Sequence, residues 1–177
     1  MTEKIIIAGA GGQGVMLLGK VLAQAAMRAN KQVTWMPAYG AEVRGGTAYF
    51  MVVVSDEEIS SPCVDYADTL MIMNAPALER FQRQIKTGGL MIINASLASE
   101  KVKKSGVTCV RHPFTDIADG LGNIRIANMV ALGCYLAHKK MISPDSVIAA
   151  MRDIAPKGSD EIIAINIKAL LKGKELK

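Results

Sequence analysis

Cysteine is scarce in this 177-residue chain, and the placement of the few cysteines excludes several kinds of site. Cys63, Cys109 and Cys134 are far apart and form no Cys-x-x-Cys pair. An iron–sulfur cluster or a structural zinc ion needs four organised ligands, which these residues cannot supply. We therefore expect no metal site and three reduced, buried thiols.

Aromatic residues and long apolar runs are also few. The chain has three Phe and one Trp against 11 Met, so flexible aliphatic side chains should fill its core. The first apolar run, residues 5–8, is too short for the core of a signal peptide or for a membrane span. We expect a cytoplasmic protein that makes no contact with a membrane.

The formal net charge of +5 is not concentrated in a dense basic stripe. Lysines and arginines are scattered, without the interleaved aromatics that are typical of a nucleic-acid-binding surface. The length and the 50% hydrophobic content suit one ordinary domain with a sizeable core. We expect a single domain over residues 1–177 and no nucleic-acid partner.

Short buried strands alternate with helices along the chain. The apolar residues 5–8 predict a buried strand, and apolar side chains at helical spacing predict a helix over residues 15–28. A second strand should cover residues 32–36 and stop at Pro37, before a loop. Residues 47–54 predict one more strand, added singly or as a hairpin.

The second half of the chain continues this alternation. Strands are predicted over residues 70–73, 90–93 and 107–110. Helices are predicted to begin near Asn74, Asn128, Ser143 and Ser159. Gly88 and Gly89 should stop the first of these helices, and Gly133 indicates close helix packing. The predicted fold class is α/β: a Rossmann-like three-layer sandwich with a mostly parallel sheet and an added strand or hairpin.

Residues 9–14, which we call the glycine loop, match G-x-G-x-x-G between the first strand and the first helix. The candidate binding residues here are Gly9, Gly11, Gly12, Gln13 and Gly14. Glycines let an anion approach the amides at the positive end of a helix. They could equally serve only to pack the helix closely on the strand, and the pattern leaves both interpretations open.

A nicotinamide site would need more than these glycines. An Asp or Glu should follow at the end of the second strand to bind ribose hydroxyls, but Thr34, Trp35 and Met36 stand there. Glu42 lies further on, two residues before Arg44, in a glycine-flanked loop. This pair could form a phosphate clamp beside the glycine loop or a screened ion pair on a surface turn.

The two loops together resemble the gamma subunits of 2-oxoacid:ferredoxin oxidoreductases, and the resemblance covers nearly the whole chain. Those subunits carry G-x-G-G-Q-G after the first strand and Y-G-P-E-V-R-G-G after the second. Residues 9–14 and 39–46 match both patterns, with Ala41 in place of the usual proline. Residues 128–133 also look like a late helix of the family.

The resemblance implies an accessory subunit that is inactive alone and has no catalytic residue of its own. Such enzymes oxidatively decarboxylate a 2-oxoacid to an acyl-CoA and reduce ferredoxin. Alpha and beta subunits would hold thiamine diphosphate and Mg²⁺, and a beta or delta subunit would carry [4Fe-4S] clusters. No cofactor should bind tightly to this chain, but coenzyme A could contact the glycine loop, with Glu42 and Arg44 shaping the same crevice.

Other functional hypotheses remain open at this point. A free-standing oxidoreductase that binds a flavin or another nucleotide is the main alternative, and a purely structural interaction module is a third. Overall resemblance favours 2-oxoglutarate over pyruvate, branched-chain oxoacids and indolepyruvate as the substrate of the complex.

Overall fold

The computed structural model describes residues 1–39 and 46–176. Its strands are β1 (Thr2–Ala10), β2 (Gln32–Tyr39), β3 (Thr47–Ser55), β4 (Ala67–Ile72), β5 (Ile85–Asn94) and β6 (Thr108–His112). Its α-helices are α1 (Val15–Arg28), α2 (Ala75–Phe81), α3 (Phe114–Gly120), α4 (Ala127–His138), α5 (Pro144–Ile154) and α6 (Asp160–Lys174). Two short 3-10 turns cover Gln82–Gln84 and Ile124–Ile126.

The strands form one mixed sheet in the order β2-β3-β1-β4-β5-β6. β1, β4, β5 and β6 pair in parallel, whereas β3 is antiparallel to both β1 and β2. The expected α/β class is confirmed, including the added strand. That strand is inserted between β1 and β2, which are direct neighbours in an ordinary Rossmann unit.

Two hydrophobic clusters pack on opposite faces of the sheet. α1 and α4 lie on one face and are covered in turn by α5 and α6, while the short α2 lies on the other face. Ile5, Ile6 and Ile7 are all 0% exposed because β1 is central and is covered on both sides. This burial explains why β1 is continuously apolar rather than alternating.

Three expectations about boundaries are wrong. β2 continues through Pro37 to Tyr39, because β2 is an edge strand, where a missing N–H need not break the sheet ladder. The predicted loop therefore begins later, and residues 40–45 lie outside the described residues. The helix after Asn74 ends at Phe81, and Gly88 and Gly89 lie inside β5, where the pairing with β4 shifts its register.

The expectation of three buried thiols is also wrong, since only Cys134 is buried. Cys63 lies exposed between β3 and β4, and Cys109 is exposed on the edge strand β6. All three thiols are free. Cysteine's usual preference for the interior therefore predicted only the helical residue correctly.

The later helices largely confirm the pattern. α4 begins at Ala127, next to the predicted start at Asn128. A Cβ on Gly133 would lie 2.0 Å from the Leu170 carbonyl oxygen of α6, so the two helix backbones are in contact. Ser143 caps α5 by accepting the Ser146 N–H at 3.1 Å. Within residues 1–39 and 46–176, no helix combines the length and the apolar character needed to span a membrane.

Candidate functional site

The glycine loop follows β1 at a topological switch point, where the connections from neighbouring parallel strands lead to opposite sides of the sheet. α1 carries the chain from β1 toward β2, while β4 lies on the other side of β1, and both β1 and β4 end at the same edge. Open α/β sheets bind ligands in the crevice outside such a pair of strand ends. The loop is therefore placed where the fold most readily makes a site.

The Gln13 side chain forms hydrogen bonds to the ends of both β1 and β4. Its Oε1 accepts the Ala10 N–H at 2.7 Å, and its Nε2 donates to the Met73 carbonyl at 3.3 Å. A Cβ on Gly9 would lie 2.6 Å from Gln13 Oε1 and 2.8 Å from Met73 Cβ. Gly9 is thus required for packing, and both polar atoms of the Gln13 side chain already make a hydrogen bond within the protein.

Gly14 also serves packing. Its φ of 71° is left-handed, and a Cβ there would lie 2.3 Å from Asn128 Nδ2. Asn128 in turn donates from Nδ2 to the Gly14 carbonyl at 3.1 Å. Gly14 therefore lets the first turn of α4 contact the start of α1.

Gly11 and Gly12 have a different environment. Both are exposed, and a Cβ on either would meet no atom within 4 Å, although Gly12 has a φ of +90°. In the part of the chain that the structure describes, no side chain caps α1 and its first turn carries no acid. Its leading amides can therefore still bind an anion. The loop divides into a packed pair, Gly9 and Gly14, and an open pair, Gly11 and Gly12.

A small cleft with a volume of about 130 Å³ adjoins the open pair. The described residues that line it are Gly12, Gln13, Met73, Leu97, Thr115, Ile124, Arg125 and Ala127. Typical small-molecule sites have volumes of about 300–1,000 Å³. The cleft is thus large enough for only part of a cofactor-sized ligand.

Four residues of the cleft were not predicted from the sequence, and they come from the segments that follow β5 and β6: Leu97, Thr115, Ile124 and Arg125. Thr115 is held at the end of β5 by Asn94, whose Nδ2 donates to Thr115 Oγ1 at 2.9 Å. Asn94 is fully buried and directly follows a predicted strand. A polar residue at the carboxyl end of a buried strand is the one sequence feature that could have indicated a site here.

The family model of the pyruvate ferredoxin/flavodoxin oxidoreductases matches residues 4–176. The chain belongs to this family. A 2-oxoglutarate synthase subunit KorC from Methanocaldococcus jannaschii is 36% identical over 99% of this chain and 94% of its own length. A ketoisovalerate oxidoreductase subunit VorA from Methanothermobacter marburgensis is 38% identical, but the chain spans only 36% of its length.

Solved structures contain a similar fold both as a separate chain and within a longer one. The gamma subunit of a keto/oxoacid ferredoxin oxidoreductase from Geobacter sulfurreducens superposes with a TM-score of 0.84 at 27% identity, over 98% of this chain and 96% of that one. The 2-oxoglutarate:ferredoxin oxidoreductase from Magnetococcus marinus, solved with 2-oxoglutarate, coenzyme A and succinyl-CoA bound, gives 0.89 at 28% identity. That match covers 98% of this chain and 30% of the longer one.

Most of the second loop of this oxidoreductase domain, residues 40–45, lies outside the described residues. Glu42 and Arg44 lie outside the described residues, so their expected role beside the glycine loop stays a prediction. The inserted β3 places β2 two strand spacings, about 10 Å, from β1. An acid at the end of β2 would therefore not stand beside the glycine loop as it does in a dinucleotide-binding unit.

A second groove of the oxidoreductase domain, about 180 Å³ in volume, lies between α1, α5 and α6. Its lining is almost entirely apolar and includes Leu17 and Ile162, which are 41% and 63% exposed. Because it offers no charged side chain among the described residues, it suits an anionic ligand less well than the cleft beside Gly12.

Proposed function

We propose that the chain is the gamma subunit of a thiamine-dependent 2-oxoacid:ferredoxin oxidoreductase. The complex would oxidatively decarboxylate a 2-oxoacid to an acyl-CoA and pass the electrons to ferredoxin. The observation that carries the proposal is the match to KorC, a relative of nearly the same length, over 99% of this chain.

The chain acts as an accessory subunit in this proposal. No His, Cys, Asp or Glu is among the described residues that line the cleft, so this surface offers no general base or thiol nucleophile. Thiamine diphosphate, Mg²⁺ and [4Fe-4S] clusters are assigned to alpha, beta and possibly delta partners. Ferredoxin then meets the complex through those partners.

The proposed substrate of the complex is 2-oxoglutarate. The chain matches most of the length of the 2-oxoglutarate synthase subunit from Methanocaldococcus jannaschii but only about a third of the ketoisovalerate subunit VorA. The similar chain length of the 2-oxoglutarate synthase subunit favours 2-oxoglutarate. Ketoisovalerate is the second candidate, because the identity to VorA is as high, at 38%.

The glycine loop is proposed to contact coenzyme A. Gly11 and Gly12 leave open space before the uncapped start of α1, and the structural relative from Magnetococcus marinus binds coenzyme A. The negative phosphates of coenzyme A suit the positive end of a helix. Since the cleft is small, the remaining contacts would come from another subunit.

Replacing Gly12 by Val in the reconstituted complex tests this contact. The side chain would fill open space at the cleft, so the KM for coenzyme A should rise while that for the oxoacid stays nearly unchanged. Gly88→Val is the matched control, because Gly88 has a similar φ of +79° and open surroundings but lies at the opposite edge of the sheet. Equal coenzyme A kinetics in the two variants would contradict the contact.

A further inference from the structure

Basic residues that are scattered in the sequence come together on the face of the sheet that carries α2. They line two adjoining hollows of about 420 and 300 Å³, which share Glu79, Gln82 and Lys103 and which we call the basic groove. Only two carboxylates, those of Glu79 and Glu100, line it among the described residues. Its cations come from α2, from the 3-10 turn after α2 and from the connection between β5 and β6: Arg80, Arg83, Lys101, Lys103 and Lys104.

The connection between β5 and β6 is unusual for parallel strands. A helix usually makes such a crossover, but residues 95–107 contain neither a helix nor a strand. The connection is nevertheless held in place, because Oε1 of the buried Gln82 accepts the Lys103 N–H at 2.8 Å. Val102 packs against the hydrophobic cluster on this face of the sheet, whereas Lys101 and Lys103 are exposed. The backbone therefore presents these two lysines to the groove in a fixed arrangement.

The cations of the basic groove are not neutralised by carboxylates of the chain. In the part of the chain that the structure describes, no ion pair involves any of them. Lys86, which also follows the 3-10 turn, differs from them because its Nζ pairs with Asp68 Oδ1 at 2.6 Å. Arg80 is positioned by a cation–π contact, 5.1 Å from the centre of the Tyr49 ring. Because like charges held close together repel, such a cluster indicates a surface that binds a negatively charged partner.

The residues that line the groove distinguish among negatively charged partners. Surfaces for single-stranded nucleic acid offer aromatic rings for base stacking, and no aromatic residue is among the described residues that line the groove. The cations are spread over two hollows, so a small anion would meet only some of them. A permanent subunit interface would be more apolar, since lysine is depleted in such interfaces. An extended segment with several carboxylates, bound transiently, fits the groove best.

We propose that the basic groove binds a carboxylate-rich segment of another protein in a transient, salt-sensitive complex. The carboxylates pair with Arg80 and Arg83 on one side of the groove and with Lys101 and Lys103 on the other. Arg83 stands just before the amino end of β5, whereas the glycine loop lies at the carboxyl ends of the parallel strands. The inference therefore goes beyond the proposed function and does not depend on the coenzyme A contact.

Fluorescence anisotropy with a short, labelled oligoglutamate peptide tests the groove on the full chain. The chain should bind this peptide but not an oligoglutamine of the same length, and binding should weaken as the ionic strength rises. Arg83→Glu combined with Lys103→Glu should raise the Kd about tenfold or more, because two attractive pairs become repulsive. The matched control combines Lys157→Glu with Lys168→Glu, two exposed positions outside the groove. It changes the net charge equally and should alter the Kd less than about threefold.

Cross-linking with a carbodiimide maps the contact on the unsubstituted chain. The reagent joins a carboxylate of the peptide directly to a lysine amine in contact with it, with loss of water. Peptide mapping should find the cross-links mainly at Lys101, Lys103 and Lys104. Cross-links spread evenly over the exposed lysines would contradict the proposal, and this result does not depend on whether any variant folds.

Three outcomes of the binding measurements would overturn the proposal. They are no binding of oligoglutamate by the chain, equal effects of the two double substitutions, and tighter binding of an oligothymidylate than of oligoglutamate through the same residues. The last outcome would make the groove a nucleic-acid surface. Far-UV circular dichroism checks that both variants are folded, and cross-linking alone decides if the groove variant is not.

Discussion

Single glycines in the glycine loop are required for different reasons, and stability measurements can separate them. Gly14→Ala forces a left-handed φ on alanine and drives Cβ into Asn128, so we expect a loss of about 2–4 kcal/mol in the free energy of unfolding. Gly11→Ala meets no atom within 4 Å and should change it by less than about 0.5 kcal/mol. Urea unfolding of both variants checks this, and equal losses would mean that the loop is not divided as described.

The three thiols should differ in reactivity at pH 8. Burial raises the pKa of Cys134 to about 12, so almost none of it is thiolate at that pH. Burial also raises the pKa of the exposed Cys109, partly offset by Arg111, whereas Cys63 is exposed on a loop. We expect a disulfide reagent to modify Cys63 fastest and Cys109 more slowly, and to reach Cys134 only after denaturation. A Cys63→Ser variant assigns the fast phase, and rapid labelling of Cys134 in the folded chain would contradict its burial.

Helices α4 and α6 are in direct backbone contact, because a glycine on each helix, Gly133 and Gly173, faces the other. A Cβ on Gly133 would lie 2.0 Å from the Leu170 carbonyl oxygen, and backbone cannot rotate away as a side chain can. Gly133→Ala should therefore cost about 3 kcal/mol, the upper end of the range for overpacked cores. Gly120→Ala, at the end of α3 with nothing within 4 Å, is the control and should be neutral or slightly stabilising. Denaturant unfolding of the two variants measures the difference.

Elements whose local pattern agrees with their burial could be predicted from the sequence. β1 and α1 followed from a short apolar run, glycines and a helical repeat, and Gly133 correctly indicated close packing. β5 could not be bounded, because Ile85 fits a helical face as well as it fits its actual pairing with Ala67 of β4. The insertion of β3 between β1 and β2 depends on pairing between strands that are distant in sequence, and no local sequence pattern predicts it.

The candidate site, too, could be predicted only where it is formed by one continuous segment of the sequence. The glycine loop is contiguous in sequence and was recognisable, including its position between a strand and a helix. Thr115 and Arg125 reach the cleft only because β5 and β6 end at the same edge as β1 and because Asn128 contacts Gly14. Such convergence depends on strand order, which the sequence alone left undetermined.

For the molecule as a whole, the proposed function implies that the chain provides only part of a coenzyme A site. Its cleft is smaller than an ordinary cofactor pocket, and the relatives that carry this domain within a longer chain devote only about a third of their length to it. A partner surface against the open side of the cleft would complete a coenzyme A site. We therefore expect any turnover to depend on partner subunits.

Reconstitution of the chain with alpha and beta partners tests whether it is an accessory subunit of a 2-oxoacid oxidoreductase. Reduction of ferredoxin, or of a viologen dye, is measured with thiamine diphosphate, Mg²⁺, coenzyme A and either 2-oxoglutarate or ketoisovalerate. We expect no turnover by the lone chain, coenzyme A-dependent turnover by the full set of subunits, and a higher kcat/KM for 2-oxoglutarate than for ketoisovalerate. Turnover by the lone chain, or undiminished activity of the partners without it, would contradict the proposed role as an accessory subunit.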